Sequence, residues 1–185
     1  MIITKTELPG PAIVELRIRS DERGGFARTF CRQEFIEAGL DPAVEQCNLS
    51  YNHVAGTLRG MHWQVPPYAE PKLVRCTRGS ILDIIVDMRD DSPTRLQHVA
   101  VELSAQNRRA LFVPAYFAHG YQTLDDDTEV VYQVGGAYTP GAERGLRHDD
   151  PALGLTWPLP VSMVSEKDAS WPLLDPAGEP AGTLA

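Results

Sequence analysis

The stretch Gly56-Thr57-Leu58-Arg59-Gly60-Met61-His62-Trp63-Gln64, with Lys72-Leu73-Val74-Arg75-Cys76 behind it, decides the reading of the fold. Both segments alternate apolar and polar residues. On a strand, side chains two apart share a face, so Gly60, His62 and Gln64 point one way and Met61 and Trp63 the other. Between Gly56 and Lys72 the chain presents a guanidinium, an imidazole, an amide and an ammonium. A face with a small residue, a base and an amide predicts a pocket wall rather than a packed core.

Outward from this stretch the pattern stays strand-like. Upstream, Ile2–Thr6 and Ala12–Ile18 read as short strands broken by Pro9-Gly10-Pro11, which must turn. Ser20-Asp21-Glu22-Arg23-Gly24-Gly25 is a second turn signal, and Phe26–Phe30 is expected as a strand. Arg32–Ala38 carries helix formers and stops at Gly39, which predicts one short helix. Glu45–Asn52 alternates and leads into the opening stretch. Downstream, Lys72–Thr77 and Ser80–Met88 flank the tight-turn signal Arg78-Gly79. His98–Leu103, Arg109–Val113, Ala118–Thr123 and Thr128–Val134 follow at roughly regular spacing, the signature of an all-β sandwich or barrel. After Tyr138-Thr139-Pro140-Gly141 the sequence turns proline-rich and irregular, and residues 160–185 read as a tail wrapping the barrel. No repeat or linker divides the chain, so residues 1–185 are expected to form one domain.

Composition narrows the function. The chain has 185 residues, 43% hydrophobic and 23% charged, an ordinary globular balance with room for a sizeable core. A formal net charge of −8 argues against general binding to nucleic acid or an anionic membrane, though a small anionic ligand responds to local charge. Apolar runs fall far short of a membrane span and no basic-then-apolar signal opens the chain, so cytoplasm is the expected location. Cys31, Cys47 and Cys76 lack metal-type spacing and read as reduced, buried thiols.

The spacing Gly56…His62-Trp63-Gln64…Glu70…Gly79, then Pro114…His119, resembles the two motifs of the cupin superfamily, a double-stranded β-helix or jelly-roll barrel with a few short helices. In metal cupins these positions give two histidines one residue apart, a glutamate and a third histidine. Here Gln64 stands in place of the second histidine, and a neutral amide is a poor ligand for a transition metal compared with imidazole. The site is therefore read as free of metal, with His62 available as a base near neutral pH.

Further motifs sharpen the resemblance. Asp21-Glu22-Arg23-Gly24, Gln46-Cys47-Asn48-Leu49-Ser50, Leu58-Arg59-Gly60-Met61-His62, Lys72-Leu73-Val74-Arg75 and Ser92-Pro93-Thr94 come first. Pro114-Ala115-Tyr116-Phe117-Ala118-His119-Gly120, Val131-Tyr132, Asp149-Asp150-Pro151, Trp157-Pro158 and Ser165-Glu166-Lys167-Asp168 follow. In this order they resemble the dTDP-4-dehydrorhamnose 3,5-epimerase family from about Asp21 to Pro172. The resemblance implies a cofactor-free isomerase of a nucleotide-diphosphate-linked 4-keto-6-deoxyhexose. By that match His62 is the base, paired with Asp168; Lys72 stabilises the C4 oxyanion; and Tyr132 returns a proton on the opposite face. Arg23 and Arg59 match phosphate contacts, Gln46, Asn48 and His119 match polar pocket residues, and Tyr138 matches an aromatic that stacks on the base. The family's N-terminal strands are exchanged in a homodimer, so a dimer is expected, with Arg23 supplied by the other subunit.

Two positions depart from the family pattern at its base-binding end. Arg19 stands where an aromatic is usual, and Arg28 where a glutamate is usual. A guanidinium stacks on a base by cation–π contact, whereas Arg28 cannot accept a hydrogen bond as a carboxylate does. Two readings stay open: these arginines alter the grip on the nucleotide, or both are surface residues. An epimerase of one centre only, a non-catalytic sugar-nucleotide binder and a metal cupin are the competing readings of the whole chain.

Overall fold

The computed structural model describes residues 1–175. In chain order its strands are β1 (Ile2–Lys5), β2 (Ala12–Glu15), β3 (Arg19–Asp21), β4 (Gly24–Phe26), β5 (Gln46–Asn52) and β6 (Leu58–Gln64). Then come β7 (Lys72–Arg78), β8 (Ser80–Asp87), β9 (His98–Ser104), β10 (Ala110–Val113), β11 (Phe117–Thr123), β12 (Thr128–Val134) and β13 (Glu143–Gly145). Two helices, α1 (Arg32–Glu37) and α2 (Glu166–Ala169), complete the set.

Two antiparallel sheets form the body, in the orders β1-β2-β10-β7-β12-β5 and β13-β6-β11-β8-β9. Residues from both meet in one apolar layer containing Val74, Cys76, Ile81, Ile85, Leu103, Leu111, Phe117 and Val130. The first sheet's outer face is covered by α1, whose Phe35 packs with Ala12, Val14, Leu73 and Phe112. The second sheet's outer face carries Met61, Trp63, Ile84, Val86 and Met88, roofed by Leu146, Leu153, Trp157 and Leu174 from the C-terminal segment. The strand spacing predicted an all-β sandwich or barrel and the cupin resemblance implied a jelly roll; that is the observed fold.

Ile84 and Ile85 sit side by side on β8, so their side chains leave on opposite faces and both are fully buried, Ile84 under the C-terminal roof and Ile85 between the sheets. Truncating Ile84 leaves a cavity as well as losing transfer energy. Ile84→Ala is expected to cost about 2–5 kcal/mol of stability, read by denaturant unfolding. A loss below about 1 kcal/mol would show that the roof is not packed against β8.

The structure corrects several local expectations. Of the three thiols only Cys76 is buried; Cys31 is half-buried, and Cys47 is exposed because its strand β5 lies at the edge of the first sheet. Phe26–Phe30 is not a strand: pairing ends at Phe26, and Phe30 turns inward to meet Phe35, ring centroids 4.9 Å apart. The Ser20–Gly25 turn signal is the tip of a separate β3–β4 hairpin that pairs with neither large sheet. The irregular stretch after Tyr138 contains β13, which extends the second sheet beside β6. Residues 160–175 do run across the body: Met163 bridges Thr57, and Leu58 N donates to Met163 O at 2.8 Å. The remainder of the expected wrapping tail, 176–185, lies outside the described residues.

Candidate active site

At one end of the inter-sheet space the inward-facing rows change from apolar to polar. On β7 the row Lys72, Val74, Cys76 puts the last two in the core and Lys72 in a cleft. On β11, Phe117 and Tyr121 join the core while His119 lines the cleft. The cleft has two adjoining lobes of about 530 Å³ and about 220 Å³, which share His62, Lys72 and Tyr132. The larger adds Arg59, His119, Tyr121 and the tail residues Met163 to Ser165, Lys167 and Asp168. The smaller adds Gln46, Asn48, Gln64, Glu70, Tyr138 and Glu143.

The expected dyad is present. His62 Nε2 lies 2.6 Å from Asp168 Oδ1, although the two are far apart in sequence. Asp168 sits on α2, whose N-cap Ser165 accepts from the Asp168 backbone N–H at 3.0 Å, a short turn stabilised at its start. Its second oxygen accepts from Gly60 N at 3.1 Å. Burial pushes the Asp168 carboxyl up, but His62, the Gly60 N–H and Ser165 outweigh it and hold the group below its ordinary range. Gly60 is required here: at its φ of +109° an added Cβ would lie 2.6 Å from Gly120 Cα and from His119 O. With Nε2 engaged by Asp168, His62 Nδ1 remains, 3.7 Å from Glu143 Oε1.

Behind the dyad, Trp171 lies against His62, ring centroids 6.5 Å apart, and flat over Gly145. Glu143 also pairs with Lys167, so β13 and the tail are clamped together beside the imidazole.

Tyr132 makes no hydrogen bond among the described residues, and its hydroxyl is open to the cleft. Burial raises its pKa above that of an ordinary phenol, with Arg59 acting weakly against it, so the phenol is protonated at neutral pH. Lys72 Nζ lies 3.5 Å from Glu70 Oε1. Arg59 Nε donates to Asn52 Oδ1 at 2.7 Å, and Asn52 in turn reaches Tyr121, whose hydroxyl donates to Ser50 at 2.8 Å. His119 is opposite His62 in the β6–β11 register and lies 2.7 Å from the fully buried Asp83. Gln46 Oε1 accepts from the backbone N–H of Tyr138 at 3.1 Å, and the Tyr138 ring is 58% exposed.

Gln64, placed by the sequence at a metal-ligand position, is fully engaged otherwise. Its amide nitrogen, Nε2, donates to Glu70 Oε2 at 2.7 Å and Tyr68 O at 3.1 Å, and its Oε1 accepts from Thr139 N at 2.8 Å. No three His, Cys, Asp or Glu side chains among the described residues are grouped to hold a metal.

Three predicted residues are elsewhere within this chain. Arg23 caps the β3–β4 hairpin against Asp21, with its side chain 85% exposed. Arg19 and Arg28 border a separate hollow with Arg17 and Phe26, where Arg28 pairs with Glu34 at 2.8 Å. Arg19 and Arg23 lie on, and Arg28 just beyond, a hairpin that pairs with neither large sheet. Conversely, Glu70, Glu143, Asp83, Tyr121 and Lys167 belong to the site and were not singled out by sequence. Lys167 and Glu70 stood inside the quoted motifs; nothing local marked the other three. A hollow of about 680 Å³ on the Trp63 side of β6, lined by Met88, Arg89 and Tyr116, contains none of the predicted residues.

Comparison with known proteins places these observations among relatives. Residues 5–176 match the family described as dTDP-4-dehydrorhamnose 3,5-epimerase. A protein of that name from Sinorhizobium fredii is 44% identical over 163 residues, covering 88% of this chain and 84% of that protein. The crystal structure of dTDP-4-dehydrorhamnose 3,5-epimerase from Bacillus anthracis, with TDP and PPi bound, superposes with a TM-score of 0.90 at 38% identity, covering 94% of this chain and 99% of that one. The Legionella pneumophila dTDP-6-deoxy-D-glucose-3,5-epimerase in complex with dTDP-4-keto-L-rhamnose gives 0.87 at 34% identity, covering 97% of each chain.

Proposed function

This chain belongs to the dTDP-4-dehydrorhamnose 3,5-epimerase family, and from that premise we infer how its cleft inverts two carbon centres. The protein is an isomerase that converts dTDP-4-dehydro-6-deoxy-D-glucose to dTDP-4-dehydro-L-rhamnose, the epimerisation step of dTDP-L-rhamnose synthesis. The observation that carries the mechanism is one cleft holding a carboxylate-paired imidazole, a protonated phenol and a buried ammonium.

Hydrogens on C3 and C5 are acidic because both carbons flank the C4 ketone, and the electron pair left by either passes into an enolate. His62 takes the proton on Nδ1, and Asp168 stabilises the imidazolium through Nε2. Lys72 opposes the charge that builds on the C4 oxygen. Tyr132 delivers a proton to the opposite face of the same carbon, which inverts it, and solvent restores both groups. Arg59, held by Asn52, supplies positive charge for the diphosphate, and His119, beside Asp83, lines the same lobe as a polar group. Gln46, Asn48 and Tyr138 line the lobe that receives the base. Turnover of this substrate in deuterated water is expected to place deuterium at both C3 and C5, read by proton NMR. Label at one carbon only would assign a single-centre epimerase, and none would leave a binding protein.

We also propose a homodimer in which the β3–β4 hairpin reaches the partner's cleft. Supporting this, Arg23 and Phe26 stand exposed on the hairpin, Phe26 at 75%. β5 ends its sheet without a further strand among the described residues, and its outward Leu49 is 59% exposed. A long edge strand with apolar residues is normally covered. Arg19 and Arg28 would then travel with the hairpin to the base-binding end. Co-expressing Arg23→Ala with His62→Asn tests the exchange. If Arg23 acts across the interface, the mixed dimer regains one intact site and about half the native activity per dimer. Activity no greater than the sum of the two homodimers contradicts it.

Cytoplasmic location is proposed on the three free thiols, Cys31, Cys47 and Cys76, and no helix among the described residues is long and apolar enough to cross a membrane.

A further inference from the structure

We propose that Glu70 is a positioning residue for catalysis, a carboxylate that Gln64 fixes in place so that the Lys72 ammonium stays charged and aimed into the cleft. The geometry is a chain of three side chains. Gln64 Nε2 donates to Glu70 Oε2 at 2.7 Å, and the other oxygen, Oε1, faces Lys72 Nζ at 3.5 Å. Gln64 cannot swing away, because its remaining atoms are tied to Tyr68 O and Thr139 N. Gln64 is 3% exposed, and the Glu70 and Lys72 side chains are 9% and 14% exposed. The β6 position facing the cleft thus anchors the loop that delivers Glu70, and that loop ends at Lys72 on β7.

The need for such a group follows from burial. An ammonium withdrawn from water tends to lose its proton, and a neutral amine cannot oppose an enolate. Burial pushes Lys72 down, and Glu70 is the foremost group acting against it, with Glu143 and Asp83 contributing less. Other titratable or charged groups lining the lobes around Lys72 are His62 and Arg59 on β6, Tyr132 on β12, Tyr138 after it, His119 and Tyr121 on β11, and Lys167 and Asp168 on α2. The Lys72 nitrogen has no other hydrogen-bond acceptor among the described residues, so its direction is set by Glu70.

This inference rests on the epimerase reading, and the test separates the two. Glu70→Gln keeps the shape and removes the charge; Glu70→Asp keeps the charge and shortens the reach. The Lys72 ammonium is titrated by NMR in lysine-labelled protein, alongside the pH profile of kcat/KM. In Glu70→Gln the Lys72 pKa is expected to fall by more than about one unit. The alkaline limb of the profile should fall with it, with kcat reduced about 10–100-fold near neutral pH and KM changed less than about threefold. Glu70→Asp should restore much of the limb. An unchanged Lys72 titration in Glu70→Gln overturns the proposal. A shifted titration in a protein that turns over no nucleotide sugar upholds the pairing and overturns the epimerase reading instead.

Discussion

Replacing His62 by Asn abolishes hydrogen exchange at C3 and C5, with turnover lowered at least about 10³-fold, while dTDP binds within about tenfold of its native affinity. Asparagine fills the space and can still bond Asp168, so the cleft stays assembled and the loss falls on proton transfer. A thousandfold loss corresponds to about 4 kcal/mol of transition-state stabilisation, a usual size for a positioned general base. Nucleotide affinity is spared because the guanidinium assigned to the diphosphate, Arg59, has its own support in Asn52 and makes no bond to His62. Equal losses in dTDP binding and turnover would reassign His62 to binding. Retained exchange would end its role as the base.

Tyr132→Phe separates the two faces of the reaction. Its hydroxyl has no partner among the described residues, so removing it costs no internal hydrogen bond and the fold should be unaffected. His62 still removes and returns a proton on its own face, and solvent deuterium therefore still enters the recovered substrate. Inversion lacks its acid and is expected to fall about 10²–10³-fold. The signature is exchange outrunning epimerisation, read by following deuterium uptake and product formation in one NMR time course. Exchange and inversion falling together would place Tyr132 among the substrate-orienting residues.

How much of this was visible in the sequence depended on range. The period of two on β6 separated His62 and Gln64 from Met61 and Trp63, and the structure puts the first pair at the cleft and the second under the C-terminal roof. Regular strand spacing pointed to an all-β sandwich or barrel because the long strands β5 to β9, β11 and β12 each show a pattern, while the jelly-roll topology came from the cupin resemblance. The β13 strand and α2 are three and four residues long, too short for a pattern to declare itself, and so Glu143 was missed and the α2 fold around Asp168 unseen. Asp168 itself was reached only through family resemblance, since nothing in its neighbourhood points to a histidine on β6. Asp83 lies on β8 among buried apolar residues, and nothing along that strand marks its partner. Its partnership with His119 depends on β8 and β11 lying side by side, which alternation along one strand cannot reveal.

Gln64 is the residue whose meaning changed most. The sequence marked it as a missing metal ligand. In the structure it anchors the loop that brings Glu70 to Lys72 and holds the Thr139 backbone next to Tyr138 of the smaller lobe. The same side chain therefore ties the Lys72 end of that lobe to the Tyr138 end.

The account turns on His62 and Tyr132 addressing opposite faces of one sugar ring. A crystal structure of the protein with bound dTDP-4-keto-6-deoxyhexose, or an unreactive analogue, measures this directly. The expected result has the His62 ring nitrogen and the Tyr132 hydroxyl each about 3–3.5 Å from the hexose on opposite faces, with Lys72 within hydrogen-bond reach of the C4 oxygen. Both groups on one face, or a hexose bound away from Lys72, would contradict it.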